Sequence, residues 1–485
     1  MGGQTTGATT VTQGLERFSI SRRGLFGMAA GFTAVIGLAA CGSSNDSSSS
    51  SSTSSVGGDS DPKAIAVDAY VFGYPLVLMD TTRTTAAPTN TLMRYSTTPT
   101  PDDKTIVSPN VDTLYAQAWL DLSAEPMVIQ MPTMPDRYWL VQVQDAWSNT
   151  VNDPSSMHPK LADGAPAGPF TYVLTGPGWS GQLPTGTTRL EVPTPTSWVI
   201  VRMAVNNAAD HDAVVALQDQ IKLMPLSAWN TNPDTPTPSA APQDPTANSA
   251  KEVDAMDGPT FFAKLNALMV KNPPASADAD AVKRFATIGI APGGTVKGID
   301  TATLNDAVST AKQQISSYQN PKAKLVNDWA YATNLGTYGT DYPLRANTAL
   351  IGLGANLAAD AIYPMMLNVP ATTNGTPRRL RVHFAPGQLP PVDAFWSLTA
   401  YTADRFLVPN PDNIHSIGHQ IPVTLNPDGS ADLTLQSANP GSEVPQGNWL
   451  PIPDTGTLNL ALRLYAPKQA AADGTWQPPA LNQIN

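Results

Sequence analysis

Thr457-Leu-Asn-Leu-Ala-Leu-Arg-Leu-Tyr465 decides the class of the fold. Leucine stands at 458, 460, 462 and 464, the two-residue period of a strand with one face in a core. The same alternation sends Asn459, Arg463 and Tyr465 to the other face. Working outward, Leu380–Phe384 alternates as well, with Leu380, Val382 and Phe384 inside and Arg381 and His383 on the polar side. Phe395–Tyr401 reads as a further strand. Val423–Leu425 and Leu433–Leu435 flank Asn426-Pro-Asp-Gly-Ser430, a hairpin signal. Turns at roughly eight- to twelve-residue spacing around such strands predict a sandwich or jelly-roll.

The N-terminal half carries the same signature. Met127–Met131 is boxed by Pro126 and Pro132. Arg137–Asp145 alternates, with Trp139, Val141, Val143 and Asp145 on one face and Tyr138, Gln142 and Gln144 on the other. Trp198–Met203 is a strand that carries Arg202 on the face of Trp198 and Ile200, and Gly176-Pro-Gly-Trp-Ser-Gly181 is a turn. Helical signals flank these strands. Asp61-Pro62 reads as an N-cap with proline at the first helical position, followed by an apolar stripe at Ile65, Ala69, Phe72, Leu76 and Met79, with Pro75 expected to kink or end the helix. Asp210 is expected to cap a second helix. Phe261–Leu268, Asp280–Phe285 and Leu304–Tyr318 continue the helical pattern.

The expected fold class is therefore α+β, mainly β: two sandwich or jelly-roll-like units with a helical segment between or beside them. The boundaries read as a β-rich domain over 61–224, a Pro-rich loop over 225–249, a helical segment over 250–345 and a C-terminal β domain over 346–485. The chain has 485 residues, 41% of them hydrophobic and 14% charged, with 46 prolines and 35 glycines. That is enough to bury a large core, in a composition that favours short strands joined by turns. A net charge of -11 repels phosphate backbones and argues against a nucleic-acid partner.

Ser21-Arg-Arg-Gly-Leu-Phe26 leads into a Gly/Ala-rich apolar segment that ends in Leu38-Ala-Ala-Cys41. This resembles a twin-arginine signal joined to a bacterial lipobox, with Cys41 as the lipidation site. The segment is short and glycine-diluted for a membrane span. The expected location is thus the outer face of a bacterial membrane, held there only through the lipid on Cys41. Cys41 is the single cysteine, so no disulfide within the chain supports the fold. The Ser/Gly tract over 42–60 is expected to be a flexible tether.

Several segments resemble a bacterial two-domain family. Ser108-Pro-Asn-Val-Asp-Thr-Leu-Tyr115, Trp119-Leu-Asp-Leu122, Asp145-Ala-Trp-Ser-Asn149 and Gly176-Pro-Gly-Trp179 are similar to domain of unknown function 1254. Phe395-Trp-Ser-Leu-Thr399, Asn426-Pro-Asp-Gly-Ser430, Asn448-Trp-Leu-Pro451, Leu462-Arg-Leu-Tyr465 and Asp473-Gly-Thr-Trp476 are similar to its usual partner, domain of unknown function 1214. The resemblance covers about residues 65 to 485 and implies two β-rich units, the second jelly-roll-like. It implies no activity. The chain departs from the family pattern at Ile414 and His415, where relatives carry an arginine and a tyrosine.

The sequence contains no HExxH, CxxC, P-loop, strand-linked GxGxxG or GxSxG motif, so zincin, thiol-redox, nucleotide and serine-hydrolase chemistry have no motif support. Asn110, Asp112 and Tyr115 pack an amide, a carboxylate and a phenol into six residues: a substrate-orienting group, a base or nucleophile, and a proton donor. The structural alternative is that Asn110 and Asp112 cap a helix starting near Thr113. Asp145 would supply a second carboxylate if the two strand ends meet; otherwise it starts a turn. Arg202, Arg463 and Tyr465 could clamp a carboxylate, sulfate or sugar hydroxyl, or pair with buried acids. His383 is a catalytic candidate from the polar side of its strand. Asn149, Trp147 and Trp396 are substrate-binding candidates, with core packing as the plainer use of the tryptophans. His415 and His419 stand at i, i+4, but the surrounding prolines and glycine oppose a helical metal site, and no metal or other cofactor is assigned.

The leading expectation is an enzyme, a hydrolase or lyase, acting on a polar small molecule or glycan by carboxylate acid–base chemistry in an inter-domain cleft. A non-catalytic ligand- or carbohydrate-binding lipoprotein and a structural assembly module are the alternatives, and oligomeric state is left open.

Overall fold

A computed structural model describes residues 60–104, 107–237, 240–241 and 248–484. The signal, Cys41 and nearly all of the tether lie outside the described residues. Within them the strands form several sheets and the helices gather beside them, as the alternation predicts.

Each half of the chain forms two sheets around an apolar core. In the first unit, a five-stranded antiparallel sheet runs Met93–Tyr95, Thr113–Asp121, Thr196–Ala204, Trp139–Asp145, Thr150–Asn152 in spatial order. It packs on a four-stranded sheet ordered Thr188–Glu191, Phe170–Thr175, Met127–Met131, Lys222–Pro225. Leu114, Ala116, Leu120, Trp139, Val141, Val199, Val201 and Met203 face this partner with Ile129, Tyr172 and Leu223. In the second unit the long strands Val392–Thr402 and Thr457–Pro467 pair over Phe395–Thr402. Leu458, Leu460, Leu462 and Leu464 pack with Leu398 and Ala400 against Leu380, Val382, Phe384 and Leu433 of the outer sheet. Burial of each such leucine contributes about 1.5–3 kcal/mol.

Alternation leaves each of the two central sheets a second face, and these second faces meet. Tyr138, Leu140 and Ala204 of the first unit pack with Ala361, Phe395, Tyr465 and Ala466 of the second. The rest of the first unit's second face is covered by helix: Met79 lies with Trp119, Trp198 and Ile200, and the two indoles stack at 5.0 Å.

The helical layer is built around Pro62–Thr85, which is capped by Asp61. It is long and apolar enough to cross a membrane, but 83% of its apolar window is buried inside the protein. Helices Gly258–Lys271, Thr301–Ser317 and Tyr342–Gly352 surround it. At Gly73 a β-carbon would lie 2.4 Å from the Leu265 side chain, so glycine sets the close approach of two helices. Of the two outcomes expected of Pro75, a kink or an end, the helix shows no end there and runs on to Thr85. Proline inside a helix costs about 3 kcal/mol, and here burial of both faces of the helix offsets it.

Two expectations change. Asp210 makes no capping bond; Asn207 accepts from the Ala209 and Asp210 amides, and the Asp210 carboxylate is held by Arg137. The predicted hairpin at Asn426–Ser430 is only a closed turn. Ala431–Leu435 pairs instead with Arg379–Phe384 and Trp449–Leu450. The Thr424 amide and carbonyl are taken by the side chain of Asn448, which removes the ladder bonds a partner strand would need.

Candidate functional site

Ser108–Asp112 does not start a helix. The strand begins at Thr113, and Asn110 Oδ1 accepts from the Asp112 amide in a local turn. This segment is the seam between the two units. Arg463 Nη2 donates to the Ser108 carbonyl at 2.9 Å, Tyr401 Oη to the Pro109 carbonyl at 2.9 Å, and Gln420 Nε2 to the Val111 carbonyl at 2.6 Å. The Ser108 amide donates to the Arg405 carbonyl. Asp112, fully buried, accepts from Ser397 Oγ at 2.6 Å and Ser416 Oγ at 3.4 Å. Four of these five residues of the first unit are therefore bound directly by the second.

Beside the seam lies a buried polar interior. Tyr115 and Arg202 are cross-strand partners, with the guanidinium 5.5 Å from the ring. Asn110 Nδ2 donates to Tyr115 Oη at 2.9 Å. From the second unit come Arg463, 5.9 Å from the Tyr363 ring and 5.7 Å from that of Tyr401, and Tyr465, whose ring lies 5.8 Å from Tyr138 and 5.9 Å from Tyr363. Asn356 Nδ2 donates to Tyr363 Oη at 2.9 Å. These two residues also line a pocket of about 30 Å³, room for about one water molecule.

The electrostatics of this interior are one-sided. Arg202 donates to Gln142 Oε1 and the Gly354 carbonyl, and Arg463 to Thr399 Oγ1 as well as Ser108. Neither makes an ion pair with a carboxylate among the described residues. Burial opposes the charge on each, yet the surrounding phenols, with Asp112 beside Arg463, raise both pKa values, so both stay charged. Burial pushes the phenols up, Tyr363 to about 12 and Tyr138 and Tyr465 well above the ordinary phenol value, so they stay protonated. The hydroxyls of Tyr138 and Tyr465 have no hydrogen-bond partner among the described residues. Buried cations and donors without acceptors are costly. The arrangement suits a small molecule that brings oxygen acceptors and negative charge.

Of the sequence candidates, the structure brings together Asn110, Asp112, Tyr115, Arg202, Arg463 and Tyr465. It separates the rest. Thr113 pairs with Ala204 at one end of the central strand and Asp145 with Ser197 at the other, a run of about 23 Å at roughly 3.3 Å per residue. Asp112 and Asp145 are therefore not an acid–base pair. Asp145 accepts from the Trp147 and Asn149 amides and from Asn149 Nδ2, the turn-forming use. Trp147 packs on Phe72 and Arg345 in the helical layer. Trp396 faces the second core, because its alternation partners are Leu398 and Ala400. His383 is exposed on the outside of the outer sheet, bonded to Asp432 at 2.8 Å, far from the interior of the protein. Ile414 is buried in the same core as Trp396.

Sequence reasoning missed three groups and weighed a fourth, His419, only as a metal ligand. Ser397 and Thr399 sit opposite Arg463 and Ala461, and the alternation of Phe395–Tyr401 could have found them. Tyr363 has no such pattern. His419 stacks on Phe395 at 3.8 Å, its Nε2 without a partner among the described residues, and its pKa is lowered by burial. Asp360 and Asp153 form a carboxyl pair across the two units: burial, then the charge of Asp153 and a shared hydrogen bond with it, push Asp360 far above the usual carboxylate range. Lys160 is ion-paired with Asp153.

Comparison with known proteins agrees with the two-unit architecture. The model described as Protein of unknown function (DUF1254) matches residues 89–225, and that described as Protein of unknown function (DUF1214) matches residues 368–469. The crystal structure of the VPA0106 protein from Vibrio parahaemolyticus is similar in fold, with a TM-score of 0.66 at 20% identity, over 87% of this chain and 100% of that one. A putative uncharacterized protein from Burkholderia cenocepacia aligns at a TM-score of 0.41 and 14% identity, over 87% and 94% of the two chains. No curated protein matches the chain.

Proposed function

For a chain that belongs to the family built as a DUF1254 domain followed by a DUF1214 domain, we propose a small-molecule enzyme whose substrate carries a carboxylate and binds between the two β units. The observation that carries this reading is the pair of buried arginines, Arg202 and Arg463, without carboxylate partners among the described residues and flanked by protonated phenols, of which the Tyr138 and Tyr465 hydroxyls have no partner among the described residues. Guanidinium groups bind carboxylates in a fixed fork geometry, and phenols that stay protonated supply the remaining donors. Chemistry at such a site is acid–base: neutral His419 is the base the geometry offers, and the phenols and the Asp153–Asp360 pair hold protons.

The experiment is a thermal-shift and calorimetric screen of the full chain with small mono- and dicarboxylates, sulfate and a neutral sugar. At least one carboxylate should raise the melting temperature, with the effect lost in Arg463→Met and Arg202→Met. Stabilisation by the sugar alone, or carboxylate binding that survives both substitutions, would overturn it.

A binding protein without turnover is the second reading. It is favoured by Asp112, whose two oxygens are engaged by Ser397 and Ser416 and so are not free to act as a base. Conversion of a bound carboxylate during long incubation separates the two readings.

A further inference from the structure

In the helical layer, the helices Gly258–Lys271 and Thr301–Ser317 and the loop over 289–299 wall an open groove of about 450 Å³. Pro259, Ala263, Ala267, Val296, Ile299 and Leu304 give it an apolar lining. The loop wall is fixed by the fold: Asn266 Nδ2 donates to the Gly289 and Gly294 carbonyls at 3.0 and 2.9 Å, and its Oδ1 accepts from the Ala291 amide at 2.9 Å. Val270 stands at the rim, where a β-carbon on Gly293 would lie 3.5 Å from its side chain, and it is 63% exposed, more than Leu325 or Leu425. Such a surface favours an apolar occupant over water. The described chain starts beside it. Lys63, three residues after Ser60, is ion-paired with Asp306, and Asp306 follows Leu304 of the lining by about 3 Å of helix. Before Ser60, and outside the described residues, Gly24–Ala40 has no charged side chain and carries Leu25, Phe26, Phe32, Val35, Ile36 and Leu38. Gly42–Asp59 can span up to about 60 Å, more than the roughly 36 Å length of the Pro62–Thr85 helix, so the segment can reach the groove. Arg17, Arg22 and Arg23 precede it, and the exposed carboxylates of Asp257 and Asp300 cap the two helices that wall the groove.

We propose that this groove docks the Gly24–Ala40 segment of the same chain in the unprocessed protein, taking some of its apolar side chains, with the preceding arginines towards Asp257 and Asp300. The inference is independent of the carboxylate reading, which concerns the seam between the two β units. An apolar run outside a membrane is otherwise left to water and to other copies of the chain. Because the segment is tethered to the domain it docks on, a weak contact is enough to hold it. The same weakness lets a lipid bilayer take the segment away. The arginines add direction and little affinity, since exposed ion pairs are screened.

Cys41 is the single cysteine and directly follows Ala40, so it reports where the segment sits. The test is mild oxidation of the unprocessed full chain carrying Val270→Cys or, separately, Leu425→Cys, which is exposed on the second unit. Disulfide formation with Cys41 is followed by non-reducing electrophoresis and mass spectrometry. Docking predicts a disulfide within one chain that forms about tenfold faster, or more, at Val270→Cys than at Leu425→Cys, because docking raises the local concentration of the thiol at the rim. Phe32→Asp combined with Ile36→Asp in the segment should bring that rate down to the Leu425→Cys level. Ala267→Arg, at an exposed position of the groove wall, should do the same, with the circular dichroism of the chain unchanged. Equal rates at the two cysteine sites would overturn the inference, as would a fast Val270→Cys reaction that survives both sets of substitutions. Disulfides formed only between separate chains would overturn it too, because the occupant would then be a second copy.

Discussion

Tyr465 and Tyr401 provide a matched experiment. Both are fully buried, both lie in the long strands of the second unit, and both point into the interface. Tyr401 Oη donates to the Pro109 carbonyl at 2.9 Å, whereas Tyr465 Oη has no partner among the described residues. Replacing Tyr401 with Phe removes a buried bond and strands a carbonyl, at a cost of about 1–3 kcal/mol. Replacing Tyr465 with Phe removes a buried hydroxyl that already lacks a partner, which is neutral or stabilising by up to about 1 kcal/mol. The two variants should thus differ by about 2 kcal/mol, roughly thirtyfold in the folded-to-unfolded ratio. Urea titration of the full chain, followed by tryptophan fluorescence and compared at fixed m-value, measures the difference. Equal destabilisation by both substitutions would show that Tyr465 Oη serves the fold, and the argument that its hydroxyl is kept for a ligand would fail. The complementary result, a more stable Tyr465→Phe protein with weakened carboxylate binding, is the trade-off expected of a functional group.

Three further outcomes are expected. Asp112→Ala leaves the buried hydroxyls of Ser397 and Ser416 without an acceptor, so it should destabilise by about 1–3 kcal/mol, while Asp112→Asn, which keeps the shape and an acceptor, should cost less in the same urea titration. The Arg137 bond to Asp210, together with the Asn206 amide, holds that carboxyl below its ordinary 3.8. Its contribution is present above pH 4 and lost as pH falls through the lowered value, so Asp210→Asn should lower stability near neutrality and flatten the acid limb of a melting-temperature profile. Outside the described residues, Cys41→Ala should release the chain from the membrane fraction, and mass spectrometry of the wild-type protein should find its first residue to be a lipid-modified Cys41.

Much of this protein is legible in its alternations. Leu458–Leu464 and Leu380–Phe384 state which side chains enter a core, because the period of a strand is two and water decides which face is apolar. By the same rule the sequence assigned Arg202, Arg463 and Tyr465 to the opposite faces. What it could not state is that those opposite faces meet each other and not solvent. His383 and Arg463 look alike in sequence, each a polar residue alternating with apolar ones. One ends in solvent and the other in the interior, since the first belongs to an outer sheet and the second to a central one.

Asp112 and Asp145 looked like a pair because both sit at strand ends, and antiparallel pairing through Thr196–Ala204 put them at opposite ends of the sheet. Asp153 and Asp360 looked unrelated, more than two hundred positions apart in sequence, and packing of the two units brought them together. The sequence by itself determined the strands, their apolar faces and the chemistry available on the other faces, because these follow from local geometry and solvation. Only the tertiary structure decided which of those groups share a site, since sheet order and the docking of two sandwiches are set by contacts between residues far apart in the chain.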